Sequence, residues 1–367
     1  MLSRRAFILG AVATAGCRRK ATGFPGYAFV ANRGENSIAA VDCGRFAVAR
    51  RIPLPAPPEM VLADARRQTV YALAPANGTL FEIGMGELTV QRKLELGKSA
   101  SSIEVSNNGQ SLWALTRSPN ALVQVAVDSF RMSSRVRLPA EPESFAISHD
   151  ATAAAVTLPE ARSVAIVDLV KSQIRALSPA DDPHLVCFRS DGRQILVANR
   201  SKRMLRIADA ATGGVLVDLP LPVEPEHFCM KADGGQLFIT GKGMDAVVVV
   251  YPYQTEVAET KLAGRAPGAM AISPSQQLLF TANPEPGDVT VIEMFTHDVI
   301  AAVKVGQDPC FLTFTPDDQY ALVVNRGSGD LAVIRTAAIR QSRSKIAPLF
   351  TLIPVGSEPV SAAVCGF

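Results

Sequence analysis

The stretch YAFVANRGENSIAAVD, residues 27–42, decides how this chain is read. It holds two short apolar runs separated by a polar turn, and its Asn32 has counterparts down the whole sequence. They are Ala74, Thr116, Leu158, Asn199, Gly241, Asn283 and Asn325, spaced by 42 residues with a single step of 41. A second column runs Pro58, Ala100, Pro142, Pro183, Pro225, Pro267, Pro309 and Pro359 with the same step. Its last interval lengthens to 50 around TAAIRQSRSKIAP, read as one longer loop. Two independent columns sharing one period identify an internal repeat, the pattern to look for before any other.

Each period contains four apolar runs of strand length. In the fifth copy they are PHLVCF, ILVAN, MLRIAD and VLVDLPL. Val, Ile, Leu and Phe dominate them, and turn residues bound them. Between the first and second runs stand SNNGQ, SDGRQ, ADGGQ and TPDDQ, whose Asn, Asp and Gly tolerate the positive φ of tight hairpins. Four antiparallel strands in about 42 residues make one propeller blade. The chain starts on a second strand at Tyr27 and ends on a first strand at Pro359. That leftover strand is expected to pair with the N-terminal three and close the ring, which removes two exposed sheet edges. The expectation is therefore an all-β, eight-bladed β-propeller. A seven-bladed ring would have to discard one well-matched period.

The form V-x-N, polar turn, V-x-V-I-D, then G-x-x-P resembles the YVTN-type β-propeller repeat family. FVANRGENSIAAVD and LVVNRGSGDLAVI carry the resemblance, with VGQDPCFLTFTPDD and VGSEPVSAAV; the second to fourth copies depart most. It covers residues 27–367 and implies the fold rather than a chemistry, since propellers host unrelated activities. Some propellers of similar appearance are sugar-lactone hydrolases, so the resemblance keeps an extracytoplasmic enzyme, lactonase-like or associated with a redox cofactor, as the alternative to a non-catalytic binding scaffold. With Trp113 the single tryptophan, the docking repeats of quinoprotein dehydrogenases are missing.

Ahead of the repeats, MLSRRAFILGAVATAGC places Arg4 and Arg5 before an apolar stretch too short to span a bilayer. Ser3, Arg4, Arg5, Phe7 and Leu9 resemble the twin-arginine export signal. Thr14-Ala15-Gly16-Cys17 resembles a lipobox, with Thr14 where a larger aliphatic residue is usual. The expectation is residues 1–17 as an export signal, 18–26 as a linker and 27–367 as one propeller. Cys17 would carry a lipid, and membrane contact would come only through that N-terminus, helped by Arg18, Arg19 and Lys20. The chain would then be a periplasmic or envelope-attached bacterial lipoprotein and a monomer. Small-x-small cleavage without lipidation is the alternative. Net charge is +3, falling to +1 without Arg4 and Arg5, so no basic excess drives nucleic-acid binding. The five remaining cysteines form no CxxC or CxxCH, so the usual zinc-knuckle and covalent c-type haem spacings are absent, and their odd number does not suggest a disulfide framework.

Strand order places the Pro-column loops and Asn-column turns on one face, around the channel mouth. Around the Pro column stand the acids Glu59, Glu141, Glu143, Asp182, Glu224, Glu226, Asp308 and Glu358, with His184, His227 and Cys310. Just past the Asn column stand Arg33, Arg117, Arg200, Lys242 and Arg326. Two readings follow: Arg–carboxylate pairs that recur because the blade recurs, or a mouth that binds a protein, glycan or small-molecule ligand. A divalent metal would need His184, His227, Glu143, Glu226 and Cys310 to converge, since such ions take N, O and S donors. His149 and His297 read as solvated, and Cys187 and Cys229 as small buried residues. No GxSxG, HExxH, P-loop or GxGxxG is present, so no nucleophile can be assigned.

Overall fold

A computed structural model describes residues 23–340 and 346–367. The export signal, Cys17 and the basic residues after it lie outside the described residues. Eight four-stranded antiparallel sheets form eight blades. In blade 1, Gly26–Asn32, Ser37–Asp42 and Ala47–Pro53 are joined by the C-terminal strand Pro359–Gly366. Its register sets Tyr27 against Cys365 and Asn32 against Pro359, which is the closure expected from the leftover strand. The innermost strands of blades 2 to 8 are Met60–Asp64, Ala100–Val105, Phe145–Ile147, Pro183–Phe188, Glu224–Met230, Met270–Ile272 and Pro309–Phe314. With Pro359–Gly366 they neighbour one another in a ring around the axis.

The second and third strands of each blade are buried on both faces, so they read as unbroken apolar runs instead of alternating ones. Side chains still alternate between faces with period two. Phe29 and Ala31 pack with Val70, Phe81 and Ile83 of blade 2, while Ala28 and Val30 pack with Leu322 and Val333 of blade 8. The core is thus a series of layers between blades. Third and fourth strands slip register at the same place in every blade, as at Ala40/Val41, Ile207/Ala208 and Val333/Ile334. A bulge there adds local twist, and the fourth strands face solvent along one side.

The turns between first and second strands close as the residue types require. In blade 5 the Gly192 N–H donates to the Arg189 carbonyl at 2.8 Å, and Asp191 Oδ1 accepts the Arg193 N–H at 3.0 Å. Gly109, Gly192, Gly234 and Asp318 all take φ near +60 to +71°, the left-handed region that Gly and Asp enter most readily. The insertion in blade 8 opens with a short helix, Thr336–Arg340, where a longer loop alone was expected. Among the described residues no helix is long and apolar enough to cross a membrane.

Candidate functional site

Asn32 paired with Pro359 fixes the Asn-column turns and the Pro-column loops on one face, as the strand order requires. The cations of that face do not pair uniformly. Arg33 meets Glu358 of its own blade at 3.3 Å and Glu59 of the next at 3.8 Å. Arg326 meets Asp308 at 2.7 Å and Lys242 meets Glu226 at 2.7 Å, both within one blade. Arg117 reaches forward to Glu141 at 3.5 Å. These exposed pairs suit a repeated structural role, their attraction largely screened by solvent.

Arg200 departs from this pattern. Its own-blade acid, Asp182, instead accepts the Ser201 N–H at 3.0 Å. The guanidinium turns back to blade 4 and donates to Glu143 Oε1 at 3.0 Å, in contact also with His184 Nδ1. His184 Nδ1 lies 2.7 Å from the same Glu143 oxygen. Nδ1 thus faces a carboxylate acceptor and a guanidinium donor at once, which fixes the direction of the ring; Nε2 has no hydrogen-bond partner among the described residues. All three side chains are half-buried, at 28%, 18% and 35% exposure for Glu143, His184 and Arg200. The result is an oriented imidazole, a carboxylate behind it and a guanidinium beside it.

Thr157 positions the cluster. Its hydroxyl accepts the Ser144 N–H at 2.9 Å and lies 3.3 Å from the His184 carbonyl, tying the Glu143 loop to the neighbouring inner strand. Thr240 occupies the same repeat column in blade 6 and donates to the Gly268 carbonyl of blade 7 at 2.7 Å. Elsewhere that column is Ala31, Leu73, Leu115, Ala198, Ala282 and Val324. A hydroxyl in a column otherwise apolar was the sequence signal, and sequence reading passed over it.

The remaining candidates stay apart. Cys310 donates to the Pro359 carbonyl at 3.5 Å, and burial pushes its thiol up to about 11, so it stays protonated. Glu226 is held by Lys242 and Glu59 faces Arg33. Desolvation pushes the His227 pKa below the ordinary value, against the pull of Glu226 and with a further lowering from His184. Among the described residues no three His, Cys, Asp or Glu side chains gather to hold a metal ion. The five-residue donor set is therefore not assembled, because its members sit on inner strands that diverge around the ring.

His297 corrects the sequence reading and Glu104 adds to it. His297 is buried at 3% exposure, with Nε2 facing Gln236 at 2.9 Å and Nδ1 facing Glu259 at 3.2 Å. His149 is exposed. Cys187 and Cys229 are half-buried in the inner strands, and desolvation pushes both thiols up to about 12. Glu104 shares their repeat column, and burial raises its pKa to about 7 against a weaker opposing hydrogen bond from the Ile147 backbone. It is a carboxylate on the channel wall that sequence reading missed.

No known family model matches the chain, so the YVTN-type resemblance rests on the residues of the repeat themselves. The Salmonella typhimurium protein named Uncharacterized protein YncE is 24% identical over 196 residues, 51% of this chain and 55% of its own length. A Salmonella typhi protein of the same name matches equally. The chain thus spans about half the length of the curated relatives it matches. Among solved structures, dihydro-heme d1 dehydrogenase NirN in complex with DHE superimposes with a TM-score of 0.78 at 13% identity, covering 94% of this chain and 76% of NirN. Kuenenia stuttgartiensis hydrazine synthase gives 0.57 at 17% identity, covering 71% and 88%. A functionally unknown protein from Desulfotomaculum acetoxidans gives 0.60 at 12% identity, covering 93% and 99%. At these identities the solved structures establish a shared fold: the chain is an eight-bladed β-propeller.

Proposed function

We propose that the chain is an exported, lipid-tethered propeller that binds a small-molecule ligand on its mouth face without catalysing a reaction. The observation that carries the reading is Arg200. It leaves the own-blade pairing and joins Glu143 and His184, so that the open His184 Nε2 is held in a fixed direction at the mouth. A rigid ring that spends three polar side chains on orienting one imidazole supports recognition, since groups fixed in advance lose little freedom on binding. The test is native mass spectrometry of the chain purified from its own host. A bound small molecule is expected on the wild type and absent from His184→Ala and Arg200→Ala. A ligand-free wild type, or retention of the ligand by both variants, overturns the reading.

A second reading is favoured by the carboxylate behind His184. A carboxylate behind a histidine orients the ring and leaves its other nitrogen facing outward, as in many metal-binding histidines. Among the described residues there is one such donor and no metal-holding triad, which fits a cofactor that brings its own chelated metal, as the NirN likeness would suggest. His184 would be the residue that holds such a group, with the Arg200 guanidinium beside it. Visible absorbance of the purified chain separates the two readings. A metal-centred band lost in His184→Ala supports the second, and a colourless wild type that still carries an organic ligand supports the first.

A further inference from the structure

The mouth between blades 6 and 7 is short of side chains. Gly241 stands in the Asn column, Gly243 follows it in the turn, and Gly268 takes the place held by Glu59, Glu143, His184, Glu226 and Cys310 in other blades. Together they leave a cavity of about 580 Å³ walled by His227, Met244, Asp245, Pro267, Gly268 and Pro284, with Glu226 and Lys242 at its edge. Cavities of roughly 300–1,000 Å³ are the usual size for small-molecule sites.

The glycines are not there for one reason. A Cβ on Gly241 would stand 1.7 Å from the Glu224 carbonyl oxygen, and Gly243 has φ +100°, so packing and backbone require glycine at both. A Cβ on Gly268 would meet nothing closer than His227 Nε2 at 3.7 Å, an ordinary contact, and its φ lies outside the left-handed region. The fold does not need glycine at 268. The missing side chain keeps the space beside His227 open.

The walls of that space are fixed. Thr240 holds the Gly268 carbonyl, the Gly268 N–H donates to Ala282 at 2.8 Å, and Asp245 accepts the Ala266 N–H at 2.8 Å. Charges around it are mostly matched: Glu224 with Arg203, Glu226 with Lys242, and Glu285 with Arg265. Asp245 has no cationic partner among the described residues. His227, its pKa lowered by desolvation, is neutral at pH 7 and does not repel a cation. Two prolines and the Met244 thioether supply flat apolar surface, and sulfur is a favourable neighbour for rings.

We propose that this cavity is a binding site for a flat organic cation, an aromatic or heterocyclic amine, with its ring over Met244, Pro267 and Pro284 and its ammonium on Asp245. It is a site separate from the Glu143–His184–Arg200 cluster one blade away. The test is calorimetric titration of the mature chain with tryptamine and with indole-3-acetate, which share a ring system but differ in charge. Tryptamine is expected to bind at least tenfold tighter. Gly268→Leu, with its melting temperature checked, is expected to abolish tryptamine binding, and Asp245→Asn to weaken it about tenfold while still accepting the Ala266 N–H. His184→Ala is expected to leave it unchanged, so failure here and failure of the proposed function are told apart. Equal affinity for the two probes, no tryptamine binding, or full affinity in Gly268→Leu overturns the proposal, and the wild-type comparison decides even if a variant does not fold.

Discussion

Glu104 shows what a single position in the repeat can do. Its column otherwise holds Leu62, Ala146, Cys187, Cys229, Ala271, Thr313 and Ala363, so a carboxylate there is a choice the blade does not impose. Burial raises its pKa from 4.5 to about 7. Between those values the folded chain keeps a proton that the unfolded chain has lost. Stability therefore falls as pH rises through that window, and the penalty is complete above pH 7. Glu104→Gln removes it, so urea midpoints of wild type and variant should coincide at pH 4. They should differ at pH 8 in favour of the variant, by on the order of 2 kcal/mol. A gap of the same size at both pH values would show that packing, not ionisation, is responsible. Candidate residues were legible in the sequence because the columns assign each to a face. Glu143, His184 and Arg200 could be named that way, but the backward turn of Arg200 could not. A column fixes where Cα stands, whereas the rotamer depends on which neighbour already holds the local acid, here Ser201 on Asp182.

At the scale of the element, the Asn column illustrates how one residue type serves different blades. Asn283 is fully buried and donates to Asp288 Oδ1 at 2.9 Å and Thr290 Oγ1 at 2.8 Å. Asn325 donates to Asp330 Oδ1 at 2.7 Å, and Asn32 to the Val355 carbonyl at 2.9 Å. Asn199 is equally buried, yet among the described residues neither polar atom of its side chain has a hydrogen-bond partner. Removing a satisfied buried partner costs about 1–3 kcal/mol, so Asn283→Ala should lower stability by that amount and Asn199→Ala by less. Chemical denaturation of the two variants checks the order; the reverse order would mean that the Asn199 contacts lie elsewhere. Strands and hairpins were readable because apolar runs and Asp/Gly turns carry their own local physics. The short helix Thr336–Arg340 was not, because the single interval of 50 residues has no second copy to compare with.

At the scale of the whole molecule, blade number followed from counting periods, and closure from the unmatched strand at each end. The closing strand supplies Ala362, Ala363 and Cys365 to the core, the last fully buried. Truncation before Pro359 should therefore remove the cooperative thermal transition rather than shift it by a few degrees, since it opens blade 1 along the whole of Gly26–Asn32. Retention of a sharp transition in the truncated chain would show that seven blades and three strands suffice. Under the proposed export and lipidation, Cys17→Ser should move the protein from the membrane fraction to the soluble one, and Lys in place of both Arg4 and Arg5 should block export. The same seam bears on orientation. Asn32 ends its strand at the mouth, so Gly26, paired with Gly366, begins it on the far side of the disc. A leash running back from Phe24 to an acylated Cys17 is seven residues long, no more than about 25 Å at full stretch. With Cys17 acylated as proposed, the protein would lie with its back towards the bilayer, its mouth face turned out to the surrounding fluid like a dish facing away from its stand.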